Sequence, residues 1–138
     1  MSERVDKPSV LFVCVKNAGK SPMAAGLMRQ LVGEQVDVQS AGTRPGTALN
    51  NLSVSTLAEV GVDISAEIPK AITDDMVRAA DLVVTLGRDA HVDPVDGTRV
   101  ENWDTDEPSE RGIEGADRMR LVRDDIATRI RKLATAST

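Results

Sequence analysis

The sequence predicts an α/β fold: a three-layer sandwich with a four-stranded parallel sheet flanked by helices. Two observations carry that expectation. Residues 9–13 (SVLFV) and 82–86 (LVVTL) are short, continuous, β-rich apolar runs, the pattern of strands buried on both faces. Between such runs lie stretches whose apolar residues recur at helical spacing, and strands separated by helices call for parallel β-α-β units with right-handed crossovers.

The elements follow in chain order. Residues 1–8 are polar, end at Pro8 and read as a loose arm ahead of a single domain over residues 9–138. Residues 9–13 form the first strand. After a loop over residues 14–20, Ser21 and Pro22 read as N-cap and first helical residue. Met23, Leu27, Met28 and Leu31 then keep helical spacing up to Gly33. Residues 36–39 form a second short strand, and residues 40–51 (SAGTRPGTALNN) are a long turn-rich loop. Residues 52–60 read as a helix stopped by Gly61. A short helix over residues 74–80 precedes the strand at 82–86, and residues 98–102 make the fourth strand. A polar loop over residues 104–115 leads to the closing amphipathic helix, marked by Met119, Val122, Ile126, Ile130 and Leu133.

Composition narrows the function. The 138 residues include two aromatics, Phe12 and Trp103, and no Tyr, so the core is aliphatic. With 22 acidic against 17 basic residues the net charge is −5, the wrong sign for a nucleic-acid or membrane-surface binder. No apolar run approaches a membrane span and the first residues lack a signal-peptide core. One Cys and one His exclude an internal disulfide and make a metal site a poor expectation. The expected compartment is the reducing cytoplasm.

In parallel sheets of this kind ligands bind beyond the carboxyl ends of the strands, and Cys14 sits there, directly after the first strand. The first amides of the following helix lack intrahelical partners and carry the positive end of the helix dipole, a seat for a tetrahedral oxyanion. The same amides, with Lys16 and Lys20, favour negative charge on the sulfur. Gly19 and Asn17 suit the positive φ that a loop wrapped around an anion requires. The C-x₅-K-S spacing thus gathers a nucleophile, a cation and a hydroxyl around one anion-sized hole. Lys16, Asn17, Ala18, Gly19, Lys20 and Ser21 are the expected oxyanion-binding set. The alternative is a buried structural cysteine; the strand–loop–helix context favours the nucleophile.

Residues 10–23 (VLFVCVKNAGKSPM) resemble the active-site loop of low-molecular-weight protein tyrosine phosphatases and the arsenate reductases that share their fold. The family pattern is C-x-G-N-x-C-R-S-P, with Cys14, Asn17, Ser21 and Pro22 in register. The resemblance continues through SAGTRPG at 40–46, EVGVDIS at 59–65 with Pro69-Lys70, DLVVTL at 81–86, and a W-x₃-acid-P element at 103–108. It implies Cys14 as nucleophile, Asn17 as the brace of a strained loop, and Ser21 as hydrogen-bond donor to the Cys14 sulfur. Lys20 would stand where the family has an oxyanion-clamping arginine. Glu107, directly before Pro108, would protonate the departing oxygen, with Asp106 as its neighbour and alternative.

The departures from the family refine the expectation. Lysine offers a point charge where arginine offers a planar fork to two oxygens. The tyrosines with which the phosphatases shape an aryl-phosphate pocket are missing, and Ser109 follows Pro108. Thioredoxin-coupled arsenate reductases of this fold carry two further cysteines, one within a T-L-C segment; here the segment reads Thr85-Leu86-Gly87. A single cysteine with a lysine in the loop is similar to arsenate–mycothiol transferases. That resemblance implies arsenate as substrate, mycothiol as co-substrate, no metal or organic cofactor, and a mycoredoxin that reduces the product adduct to arsenite. The alternative is a low-molecular-weight phosphotyrosine or phosphomonoester phosphatase. His91 is expected exposed, Trp103 is expected to anchor the acid loop by packing, and Arg44 is a candidate to meet an anionic or sugar-bearing thiol.

Overall fold

The computed structural model describes residues 7–137. It contains four parallel strands, β1 (Ser9–Cys14), β2 (Asp37–Gly42), β3 (Leu82–Leu86) and β4 (Arg99–Trp103), in the sheet order β2-β1-β3-β4. The helices are α1 (Lys20–Val32), α2 (Asn51–Ala58), α3 (Asp74–Ala79) and α4 (Gly115–Ser137). Short 3₁₀ turns follow at Gly33–Gln35 and Pro108–Arg111. The expected sandwich with its four-stranded parallel sheet is present. The arm expected over residues 1–8 lies outside the described residues except for Lys7 and Pro8, which form no regular element.

The two faces of β1 decide where the chemistry lies. Side chains alternate across a strand. Val10, Phe12 and Cys14 therefore face the larger core with α1, α2 and α4, whereas Leu11 and Val13 face α3 with Val77 and Ala80. Phe12 is fully buried and packs its ring on Trp103, with centroids 5.8 Å apart and planes inclined at 54°. The chain's two aromatics thus tie β1 to the end of β4, where the acid loop begins. From α4, Met119, Val122, Ile126 and Ile130 fill the same core as expected. Each fully buried side chain of this size contributes about 1.5–3 kcal/mol relative to exposure. Among the described residues no helix is long and apolar enough to cross a membrane.

Several boundaries differ from the sequence expectation for physical reasons. β2 runs on through Ser40, Ala41 and Gly42, which have little β-propensity but pair in register with Phe12, Val13 and Cys14. α4 starts at Gly115, ahead of its apolar stripe. α2 starts at Asn51 and is capped by Asn50, whose Oδ1 accepts from Leu52 N at 2.9 Å and Ser53 N at 3.2 Å. Leu31, expected on the buried stripe of α1, is 52% exposed, and Val32 takes the buried place at 5%.

Candidate active site

The Cys14 loop is held by the segment that follows β2. Thr43, Arg44, Gly46 and Asn50 donate their backbone N–H groups to the carbonyls of Cys14, Val15, Lys16 and Ala18 at 3.1, 2.7, 2.9 and 2.8 Å. Residues 43–50 therefore run beside the cysteine loop past the end of the β1–β2 pairing and fix its course. Gly42 makes this approach possible. A Cβ there would lie 2.7 Å from Val15 O and 2.9 Å from Asn17 N, inside van der Waals contact with backbone.

Asn17 is the brace. It is 1% exposed and has φ of 51°, the one non-glycine residue with positive φ among the described residues. Asparagine tolerates that region because its short polar side chain can bond locally. Its Nδ2 donates to Ser21 Oγ at 2.8 Å and to Ser40 Oγ at 3.0 Å, and its Oδ1 accepts from Lys70 N at 2.9 Å. One side chain thereby joins the cysteine loop, α1, β2 and the strand-like segment at Lys70.

Cys14 is 7% exposed and free. Its Sγ lies 3.0 Å from Ser21 Oγ and accepts from Asn17 N at 3.2 Å. Ser21 Oγ, which accepts from Asn17 Nδ2, has both the Cys14 sulfur and, at 3.4 Å, Ala41 O within reach. Two local expectations are corrected at this point. Ser21 does not cap α1: the cap position is Gly19, no side chain caps the helix, and the Ser21 hydroxyl lies between Asn17, Ala41 O and the sulfur instead. Gly19 has φ of −127°, so the left-handed step of the loop falls on Asn17 alone. The first turn of α1 stays open to a ligand because no side chain occupies it.

The cleft beyond the sulfur has a volume of about 450 Å³ and is lined by Cys14, Lys16, Ala18, Gly19, Lys20 and Glu107, among others. Lys20 reaches across it to an ion pair with Glu107. Nζ of Lys20 would stand 3.4 Å from a Cβ at Gly87, whose φ is +89°. The position where a T-L-C segment would place a second cysteine is thus held by a left-handed glycine facing the loop's cation.

The acid loop is tied down by arginines. Arg111 donates to both oxygens of Asp106 at 2.7 and 3.1 Å, and Asp106 N donates to Asp125 at 2.8 Å. Arg88 joins Asp104 and Glu110, and Arg129 donates to Asp104 O at 3.0 Å. The Arg111 hydrogen bonds hold the Asp106 carboxyl below its ordinary range, so it stays ionised, and the same contact raises Arg111. Glu107 lines the cleft, whereas Asp106 does not.

Trp103 is buried as expected, and its Nε1 donates to Glu101 at 2.8 Å. His91 is exposed beside Asp93. Arg44 is exposed and outside the cleft lining, and Arg118 of α4 lines it in its place. Sequence reasoning gave no role to Ser40, Lys70 or Arg118. The first two stand 23 and 53 residues from Asn17; the sequence signal was their place in the SAGTRPG and Pro69-Lys70 elements.

Comparison with known proteins bears on the chain as a whole. Residues 9–137 match the family model of the low molecular weight phosphotyrosine protein phosphatases. An arsenate reductase of Halalkalibacterium halodurans is 35% identical, over 94% of this chain and 97% of its own length. One from Staphylococcus aureus is 34% identical, over 93% and 97%. Among solved structures, a thioredoxin-dependent arsenate reductase of Corynebacterium glutamicum superposes with a TM-score of 0.81 at 36% identity over 94% of this chain, which spans 61% of that longer one. An arsenate reductase in a phosphate-binding state gives a TM-score of 0.82 at 25% identity, over 95% of this chain and 99% of the other. The match runs from the first residue of β1 to the last turn of α4, and the chain belongs to the low molecular weight phosphotyrosine protein phosphatase family.

Proposed function

We propose that this protein is an arsenate reductase of the thiol-transfer type: Cys14 takes arsenate and passes the arsenic group to a low-molecular-weight thiol, mycothiol first among them. The observation that carries the reading is a lone cysteine in a complete oxyanion cradle. Cys14 has its hydrogen-bond partners in Ser21 and Asn17 and a cation in Lys20, and the 138 residues hold no second cysteine to close on it. The similarity to arsenate reductases at 34–35% identity supports arsenate as the substrate.

In this scheme arsenate docks on the amides of residues 16–21 with its charge facing Lys20. The Cys14 thiolate attacks arsenic, a sulfur–arsenic bond forms, and one oxygen leaves as water with a proton from Glu107. Glu107 is the better proton donor because it lines the cleft. Asp106 lies outside the cleft lining and is bound by Arg111, and its part is to hold the loop. The sulfur of the incoming thiol then attacks arsenic and surrenders its proton to the Glu107 carboxylate left by the first step, Cys14 leaves as thiolate assisted by Ser21, and the thiol–arsenate adduct departs with arsenic still pentavalent. A mycoredoxin thiolate then attacks the mycothiol sulfur of the adduct; a mixed disulfide forms, the sulfur–arsenic bond breaks and its electron pair leaves with arsenic as arsenite. No step calls for a metal or an organic cofactor.

The test is NADPH-coupled arsenate reduction by the purified protein, with mycothiol and mycoredoxin beside thioredoxin and glutathione–glutaredoxin systems. Turnover with mycothiol alone is expected, together with its loss in Cys14→Ser. Thiol-independent release of phosphate from aryl phosphates at comparable rates, with silence towards arsenate, would replace the reading by a phosphatase.

A further inference from the structure

The cleft is larger than one tetrahedral oxyanion needs. At about 450 Å³ it falls in the range of sites that hold small organic molecules, while the oxyanion seat is confined to the loop between Cys14 and Ser21. Beyond that loop, the first turns of α4 contribute Arg118, Met119 and Val122 to the lining.

Arg118 stands apart from the arginines around it. Arg120 and Arg123 bind Glu59, Arg129 binds Asp125, Arg88 binds Asp104 and Glu110, and Arg111 binds Asp106. Arg118 is half-buried, lines the cleft and makes no side-chain hydrogen bond or ion pair among the described residues; its Nε is shielded by its surroundings, while its two outer nitrogens keep contact with solvent. A buried N–H left unpaired is unfavourable and calls for an explanation. That N–H is part of a planar, permanently charged guanidinium whose outer nitrogens are also unpaired, next to an apolar floor of Met119 and Val122 and on the same cleft as Cys14. That combination suits a small, oxygen-rich organic molecule: acceptors for the guanidinium, carbon for the floor.

We propose that Arg118 docks the thiol co-substrate, donating to its amide, hydroxyl or carboxylate oxygens while the molecule lies along Met119 and Val122 with its sulfur towards Cys14. The proposal rests on the thiol-transfer reading above and gives it a second subsite, distinct from the oxyanion cradle. Arg118 is a specificity-determining residue under this assignment; it touches neither arsenic nor the Cys14 sulfur.

The experiment is calorimetric binding of S-methylated mycothiol, glutathione and bacillithiol to the wild-type protein, Arg118→Ala and Arg118→Lys. Phosphate binding is titrated in parallel, and thermal unfolding confirms that each variant is folded. At least one S-methyl thiol is expected to bind the wild type and to bind Arg118→Ala about tenfold or more weakly. Arg118→Lys should recover only part of that loss, and phosphate affinity should stay within twofold in all three proteins. Steady-state kinetics should show the same split, a raised KM for the thiol with kcat and the arsenate KM unchanged. Equal S-methyl thiol binding in wild type and Arg118→Ala, no binding to the wild type, or a matching loss of phosphate binding each overturns the proposal. Silence in every arsenate assay defeats the transfer reading itself, and the calorimetric comparison decides the role of Arg118 without turnover.

Discussion

Replacing Asn17 by alanine tests the architecture of the loop with a magnitude the structure supplies. The side chain makes three hydrogen bonds, buried ones to Ser21 Oγ and Ser40 Oγ and a part-buried one from Lys70 N, each worth about 1 kcal/mol net. Its φ of 51° costs an alanine roughly 1 kcal/mol more. Asn17→Ala should therefore destabilise the protein by about 4 kcal/mol, a large share of the ~5–15 kcal/mol typical of a domain. Asn17→Gly loses the same hydrogen bonds but not the φ penalty, and should retain about 1 kcal/mol of the difference. Equilibrium urea unfolding reads both as shifts in midpoint at unchanged slope. A shift below 1 kcal/mol for Asn17→Ala, or an Asn17→Gly less stable than Asn17→Ala, would refute the picture of Asn17 as a strained brace.

Three further outcomes follow from other parts of the molecule. Gly42→Ala places a Cβ against Val15 O and Asn17 N, neither of which can yield without moving the loop; a loss of about 2 kcal/mol or more is expected by urea unfolding, and an unchanged midpoint would show that the loop can shift freely. Glu59 is pulled from its ordinary 4.5 down to about 2, first by its hydrogen bonds to Arg120 and then by those to Arg123. The folded form then binds fewer protons than the unfolded one, so the contribution is complete above about pH 4.5 and fades as pH falls towards 2. Glu59→Gln should flatten that acid limb in unfolding measured across this range, and an unaltered limb would remove Glu59 from the account. Glu107→Gln should lower arsenate turnover by about 10²-fold or more, whereas Asp106→Asn should lower it by less than about tenfold; the reverse order in steady-state kcat would make Asp106 the donor.

The sheet was legible because β1 and β3 are apolar on both faces and have no other reading. Cys14 was legible because a lone thiol at a strand's carboxyl end meets a helix start there. What escaped had weaker local signals. Ser40, Ala41 and Gly42 read as turn residues, yet β1 pairs with all three. The start of α4 is Gly-Ala-Asp-Arg, polar enough to pass for loop, so Arg118 was left outside the helix that carries it to the cleft. Ser21 has the chemistry of an N-cap, and tertiary context overrode it: the hydroxyl lies between Asn17, Ala41 O and the cysteine sulfur, which stands 3.0 Å away. The brace of Asn17 depends on partners far along the chain, which no local pattern reports. The cysteine loop, the DLVVTL strand and the acid–proline step were recognisable because each confines its chemistry to a few neighbouring residues.

The central claim is that Cys14 hands pentavalent arsenic to an outside thiol without forming a disulfide. Mass spectrometry of a single turnover with protein, arsenate and mycothiol, and no reductase present, tests it most directly. The account predicts a mycothiol–arsenate adduct in solution, Cys14 recovered as the free thiol, and no arsenite. A mixed disulfide between Cys14 and mycothiol, with arsenite released in the same turnover, would contradict it.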